Sequence, residues 1–163
     1  MTLILYIIDS SSLIELNKHN PMDVYVGVWQ KIEDLIQEQR LFAPKEVLYE
    51  IEEKDDMLSG WGKNHKQMFI EPTNDHIEIV REILEKFPSL IKNDNTYCAD
   101  PWVIALAVEM NRRKQQKIYE IKRIVVTEEK IRGKRVKIPF VCKDFSVEAI
   151  DIIDMFRREG WTF

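Results

Sequence analysis

This chain has few of the residues that define several common protein classes. It has two cysteines, Cys98 and Cys142, in 163 residues. Two thiols so far apart in sequence make neither a zinc-ligand spacing nor a disulfide framework, and they suggest a reducing, cytoplasmic setting. Its three histidines, at positions 19, 65 and 76, are scattered and lack zinc spacing. Five glycines (27, 60, 62, 133 and 160) form no G-x-G-x-x-G pattern and no phosphate-binding loop, which argues against dinucleotide and nucleoside-triphosphate binding. No apolar run approaches the roughly 18–20 residues that cross a bilayer. The opening apolar stretch, Leu3 to Ile8, is short and has no basic flank, so it reads as a buried strand, not a signal peptide.

Hydrophobic residues make up 45% and charged residues 32% of the sequence, the balance of a soluble globular chain. The length suits a single domain over residues 1–163. No internal repeat, low-complexity tract or linker divides it. The net charge of −4 excludes a protein that coats nucleic acid over its whole surface. Charge is unevenly placed, however. Between Asn111 and Lys137 eleven basic residues face three acidic ones, a local excess of +8 that leaves −12 on the rest. The chain therefore has an acidic part and a basic part.

The continuous apolar run Leu3–Ile8 suits a central parallel strand covered on both faces. A short helix from Leu13 to Leu16 follows it. Trp29, Ile32, Leu35 and Ile36 recur at helical spacing, predicting an amphipathic helix over Val28–Arg40. Leu41-Phe42-Ala43 reads as a strand stopped by Pro44, and Val47, Leu48 and Ile51 as the apolar face of the next helix. Met57–Lys66, with two glycines, is the least regular stretch of this half. A strand at Met68–Ile70, a helix from Asp75 to Phe87 and a polar loop from Ser89 to Tyr97 come next. Asp100-Pro101 opens a helix whose body, Trp102–Val108, is apolar nearly all round and so deeply buried. A strand over Ile121–Thr127, a basic loop or hairpin around Gly133, a short strand at Phe140–Cys142 and a last helix over Val147–Arg158, with Ile150, Ile153 and Phe156 on one side, complete the reading. Alternating strands and helices imply a three-layer α/β/α sandwich with a mostly parallel sheet.

Ligands of open parallel sheets bind outside the carboxyl ends of the strands. Asp9 lies at such an end, where Asp9-Ser10-Ser11-Ser12 is also a serviceable helix start. Glu50 sits among Glu46, Glu52 and Glu53, as a member of a solvated acidic face would. Asp100 before Pro101 has the form of a helix N-cap with proline at N1. Glu128 and Glu129 close a strand and could be solvated turn residues. Each carboxylate has an ordinary explanation alone. Together they supply what a hard divalent cation requires, several oxygen ligands at converging strand ends and helix starts. The basic segment would then contact phosphates.

Four blocks carry a resemblance: Tyr6-Ile7-Ile8-Asp9-Ser10-Ser11, Pro44-x-x-Val47-x-x-Glu50, Ala99-Asp100-Pro101-Trp102-Val103-Ile104-Ala105-Leu106-Ala107 and Val125-Val126-Thr127-Glu128-Glu129. With them the chain resembles the PIN domain family, the fold of VapC-type toxins and of several RNA-processing nucleases. It is similar in particular to small stand-alone prokaryotic PIN-like proteins of unassigned function, a likeness that extends through the tail from Lys137 to Gly160. The resemblance implies a sheet of order 3-2-1-4-5 and four acids holding Mg²⁺ or Mn²⁺, matched here by Asp9, Glu50, Asp100 and Glu129. The wider family more often has Asp at the last place, and Glu128 is the fallback. Ser10 and Thr127 match hydroxyls that orient the acids or their waters, and Asp144 is a remote further candidate.

The expected activity is hydrolysis of RNA phosphodiesters, with Lys130, Arg132, Lys134 and Arg135 contacting the RNA backbone or, alternatively, forming a solubilising loop. The family resemblance further implies an antitoxin protein as a partner, and a homodimer. The alternative keeps the fold and drops catalysis, leaving a protein- or RNA-binding module. A receiver-type signalling domain would need an acidic pair after the first strand, where this chain has serines. Trp102 and Tyr97 read as packing residues, not as a base-stacking platform.

Overall fold

A computed structural model describes residues 2–91, 98–112 and 120–163. Its centre is strand β1 (Thr2–Ile8), whose last four residues are almost wholly removed from water. Such a run can be satisfied only between two neighbours. Strand β2 (Leu41–Pro44) pairs with it on one side and β4 (Glu120–Val126) on the other, with β3 (Phe69–Ile70) beyond β2 and β5 (Glu148–Ile150) beyond β4. All pairs are parallel, as the alternation of elements expected, and the order is 3-2-1-4-5, as the resemblance implied.

The β1–β4 register runs from Thr2 opposite Glu120 to Ile8 opposite Val126, so Asp9 and Thr127 leave the sheet side by side. Two backbone bonds beyond the ladder hold them there: Asp9 N–H donates to the Val126 carbonyl at 2.8 Å, and Thr127 N–H to that of Ile150 at 2.9 Å.

The helices are α1 (Ser10–His19), α2 (Val26–Gln37), α3 (Lys45–Lys54), α4 (Asp56–Lys63), α5 (Asn74–Lys86), α6 (Asp100–Arg112), α7 (Ile138–Asp144) and α8 (Ile152–Glu159). Helix α6 buries every residue from Val103 to Glu109, which fits its apolar circumference.

Four expectations are corrected. Met57–Lys66 is mostly helix α4: Asp55 caps it by accepting from Leu58 N–H at 3.0 Å, and Gly62 lets it approach α3, since a Cβ there would lie 2.7 Å from Leu48 Cδ1. Phe140–Cys142 belongs to a helix, α7, whose buried residues Ile138, Val141 and Cys142 have i, i+3, i+4 spacing with proline in the first turn. The segment from Val147 is not one helix. It contains β5, and α8 begins only after Asp151, whose side chain accepts from Asp154 N–H at 2.9 Å. That later start turns Ile152, Met155 and Phe156 inward and leaves Ile153 47% exposed. Finally, the stretch after Phe87 begins with a short 3₁₀ turn, Pro88–Leu90, that buries Leu90; residues 92–97, Tyr97 among them, lie outside the described residues.

One polar network sits inside this frame. The Arg40 guanidinium forks onto Glu159 at 2.8 and 2.7 Å, Tyr6 Oη–H donates to the same carboxylate at 2.7 Å, and Arg40 Nε–H reaches the Ile4 carbonyl at 3.1 Å. It ties the end of α8 to β1 and to the start of β2.

Candidate metal centre

Three of the four matched acids meet. Asp9 arrives from the end of β1, Glu50 from α3 and Asp100 from the first residue of α6, and one carboxylate oxygen of each lies within 4.8 Å of the other two. Asp9 and Glu50 are buried. Glu50 is thus no part of a solvated face, although its neighbours Glu52 and Glu53 are exposed. Asp9 precedes α1, yet its side chain makes no capping bond. Helix α6 starts one residue earlier than a cap at Asp100 would place it: the Ala99 carbonyl accepts from Trp102 and Val103 N–H, both at 2.9 Å.

The two oxygens of Asp9 are treated differently. Its Oδ2 accepts from Ser11 Oγ at 2.7 Å and Thr127 Oγ1 at 3.1 Å. Its Oδ1 is buried without a hydrogen-bond partner. Glu50 Oε1 accepts from Ser10 Oγ and Ala99 N–H, each at 3.3 Å, and Lys54 Nζ stands 3.7 Å from Oε2. Burial pushes the Asp9 carboxyl above the ordinary range and the Glu129 charge adds to this, while bonds from Ser11 and Thr127 oppose it. Burial, then the charge of Asp9, raises Glu50 against the pull of Lys54. Carboxylates gathered with one buried oxygen unpaired cost stability on the order of several kcal/mol. A divalent cation would remove that cost.

The donor chemistry selects the ion. Burial and then Asp100 push the Cys98 thiol up to about 11, and burial with Asp9 and Glu129 takes Cys142 up to about 12. Neither thiol belongs to the cluster, so the ligands on offer there are carboxylate oxygens, which suit Mg²⁺ or Mn²⁺.

Glu129 stands outside the trio. Its Oε2 accepts from Ile138 N–H at 2.9 Å and its own N–H donates to Thr127 Oγ1 at 3.2 Å, so it reaches Asp9 through the electric field. Glu128 Oε2 accepts from Ser12 Oγ at 2.6 Å and from Ile152 N–H at 3.3 Å, joining α1 to the start of α8. Asp144 is exposed and paired with Lys86. The serine that sequence reasoning passed over is Ser11, which donates to Asp9, accepts from Glu128 N–H at 3.0 Å and lies 3.3 Å from Thr127 Oγ1. Its place two residues after a strand-end acid was the available signal.

The +8 segment is not one surface. Arg123 is buried in β4, Arg112 forks onto Glu82, and Lys122 pairs with Glu148, while Arg113, Lys114 and Lys117 lie outside the described residues. Arg132, Lys134 and Arg135 are exposed on a turn closed by Arg135 N–H to the Arg132 carbonyl at 3.2 Å, with Gly133 at φ 58°. Lys130 is held by Asp151 at 2.8 Å. Lys130, Arg132 and Lys137 line a cleft of about 720 Å³ together with Ser11, Glu128 and Glu129.

A family model described as "Domain of unknown function (DUF4411)" matches residues 6–163, and the chain belongs to that family. No curated protein matches it.

Proposed function

We propose that this DUF4411 member is a PIN-like, Mg²⁺- or Mn²⁺-dependent nuclease that hydrolyses RNA phosphodiester bonds. One observation carries the reading: the buried, unpartnered Asp9 Oδ1 in a trio of carboxylates within 4.8 Å of one another. A stability-driven core has no use for that arrangement, and a hard cation completes it.

Asp9, Glu50 and Asp100 would hold the ion, which when bound supplies Lewis acidity toward water and positive charge beside the phosphate. The chain's own residues do the rest. Ser11 and Thr127 fix Oδ2 of Asp9 and so would leave Oδ1 available to the ion. Ser10 and Ala99 N–H fix Oε1 of Glu50, leaving Oε2, beside Lys54, to orient a water. Glu129 adds negative charge next to the trio and strengthens its preference for a cation. In the cleft beside Ser11 and Glu129, Arg132 and Lys137 would be the contacts for a phosphate backbone, with Glu15 and Glu128 also on its lining.

Mn²⁺ calorimetry on wild type and on Asp9→Asn/Asp100→Asn, with an RNA cleavage assay alongside, tests this. Binding and cleavage are expected in wild type and both should vanish in a double variant that remains folded. Wild type that binds no Mn²⁺ at millimolar concentration would sink the catalytic reading and leave a binding module.

A further inference from the structure

A second cleft, of about 770 Å³, is built from a different set of residues. One wall is the end of α5, with Lys86 and Phe87. The other is α7, with Phe140, Lys143 and Asp144, and Ile131 and Gly133 of the basic segment close it. Phe87 and Phe140 meet edge to face, ring centres 6.0 Å apart at 88°, and both rings remain half-buried. Lys86 Nζ stands about 6 Å from the rings of Phe87 and Phe145. The lining's one acid, Asp144, is already paired with Lys86. Lys143 is exposed, and the adjoining turn presents Arg132, Lys134 and Arg135.

Flat apolar plates with cations around them are what an unpaired nucleotide requires. A base has two π-faces that stack on aromatic rings, and its phosphates need positive charge. A duplex cannot use the plates, because its bases are stacked on each other and offer only their edges. The geometry points to a single-stranded polynucleotide as the occupant of this cleft, with a base stacked on the Phe140 ring beside Phe87 and phosphates met by Lys143 and the cations of the turn. The cleft volume falls within the roughly 300–1,000 Å³ of organic-ligand sites, room for one or two nucleotides.

Both walls lead toward the acidic trio. Helix α7 begins at Ile138, whose N–H donates to Glu129 Oε2 at 2.9 Å. Leu90, in the turn after Phe87, accepts from the thiol of Cys98, two residues before Asp100. The strand so held would reach the metal centre, and in that respect the inference rests on the nuclease reading; its test does not.

Fluorescence anisotropy in EDTA, with a labelled oligouridylate, its deoxy counterpart and an RNA duplex, separates binding from cleavage. The single strands are expected to bind at least about 10-fold tighter than the duplex, with either sugar, since neither stacking nor phosphate contact uses the 2′-hydroxyl. Phe140→Leu should weaken binding roughly 5- to 100-fold and Phe140→Trp should preserve it. Lys143→Glu, on an exposed side chain that leaves folding alone, should weaken binding and flatten its salt dependence by about one phosphate contact. Equal affinity for the duplex, strict rejection of the deoxy strand, or wild-type binding by both Phe140→Leu and Lys143→Glu would overturn the inference. Binding that follows this pattern in a protein without Mn²⁺-dependent cleavage would keep the cleft and remove the nuclease reading. Cleavage by a protein whose binding ignores both variants would do the reverse.

Discussion

Glu159 and Asp9 are both carboxylates largely withdrawn from water in one small core, and they differ in what surrounds them. Glu159 is met by two guanidinium nitrogens and a phenol. Burial pushes its carboxyl up, but bonds from Arg40 and Tyr6 and the Arg40 charge outweigh that and hold it below the usual range. Asp9 is met by two hydroxyls on one oxygen and nothing on the other, with acids as neighbours, and its carboxyl is held above the usual range. A charge matched inside the chain belongs to the architecture. A charge left unmatched is the one the proposed cation would answer.

The contrast can be broken from either side with the same chemical change. Glu159→Gln should destabilise by about 2–3 kcal/mol, since it leaves the Arg40 guanidinium partly buried without its counter-charge. The loss would read as a fall of roughly 4–12 °C in Tm. Asp9→Asn should do the opposite in EDTA, raising stability by about 1 kcal/mol. The amide oxygen keeps the bonds from Ser11 and Thr127, and the amide nitrogen replaces an unpaired charge with a donor facing carboxylates. Urea midpoints of the two variants against wild type check both signs, and an Asp9→Asn protein less stable than wild type without metal would contradict the contrast.

Titration should separate the two regions as well. For Asp9 and Glu50 the folded carboxyls lie above their unfolded values of 3.8 and 4.5, so the folded state binds more protons and metal-free stability falls as pH rises through that window. Glu159 is depressed, so its contribution is present above 4.5 and is lost as pH falls through its folded value. Urea midpoints of the metal-free protein should therefore decline as pH rises above those unfolded values and through the folded ones, a slope that Asp9→Asn flattens and saturating Mn²⁺ reverses. The smallest expected effect belongs to Lys54→Ala. Removing this half-exposed cation 3.7 Å from Glu50 should cost no more than about 0.5 kcal/mol but should hold the Glu50 proton to higher pH, visible in a carboxyl titration by NMR.

What the sequence disclosed follows from how local each signal is. The unbroken apolar run of β1, the all-round apolar α6 and the alternation of elements were enough for a mostly parallel α/β sandwich and placed Asp9 at a strand end and Asp100 at a helix start, but the sheet order and the gathering of the acids came from the resemblance. Glu50 needed the resemblance, because nothing local distinguishes it from Glu46 or Glu53. The misread segments were short ones whose identity is decided by a cap or a neighbour: Asp55 starting α4, Asp151 separating β5 from α8, and proline setting the first turn of α7. The split of the basic segment into paired, buried and exposed cations was equally hidden, since it depends on partners such as Glu82 and Glu148 elsewhere in the chain.

The strand order also governs when the acids can be gathered. The central strand precedes the other four in the chain, and the Thr127 hydroxyl that fixes Asp9 lies 118 residues beyond it. Until β4 has been made, β1 has an open edge, Asp9 has lost one of its two tethers and the acids are not held in register. Pairing of β4 with β1 closes that edge and brings Asp9 its second tether in the same step, and β5 then adds outside β4.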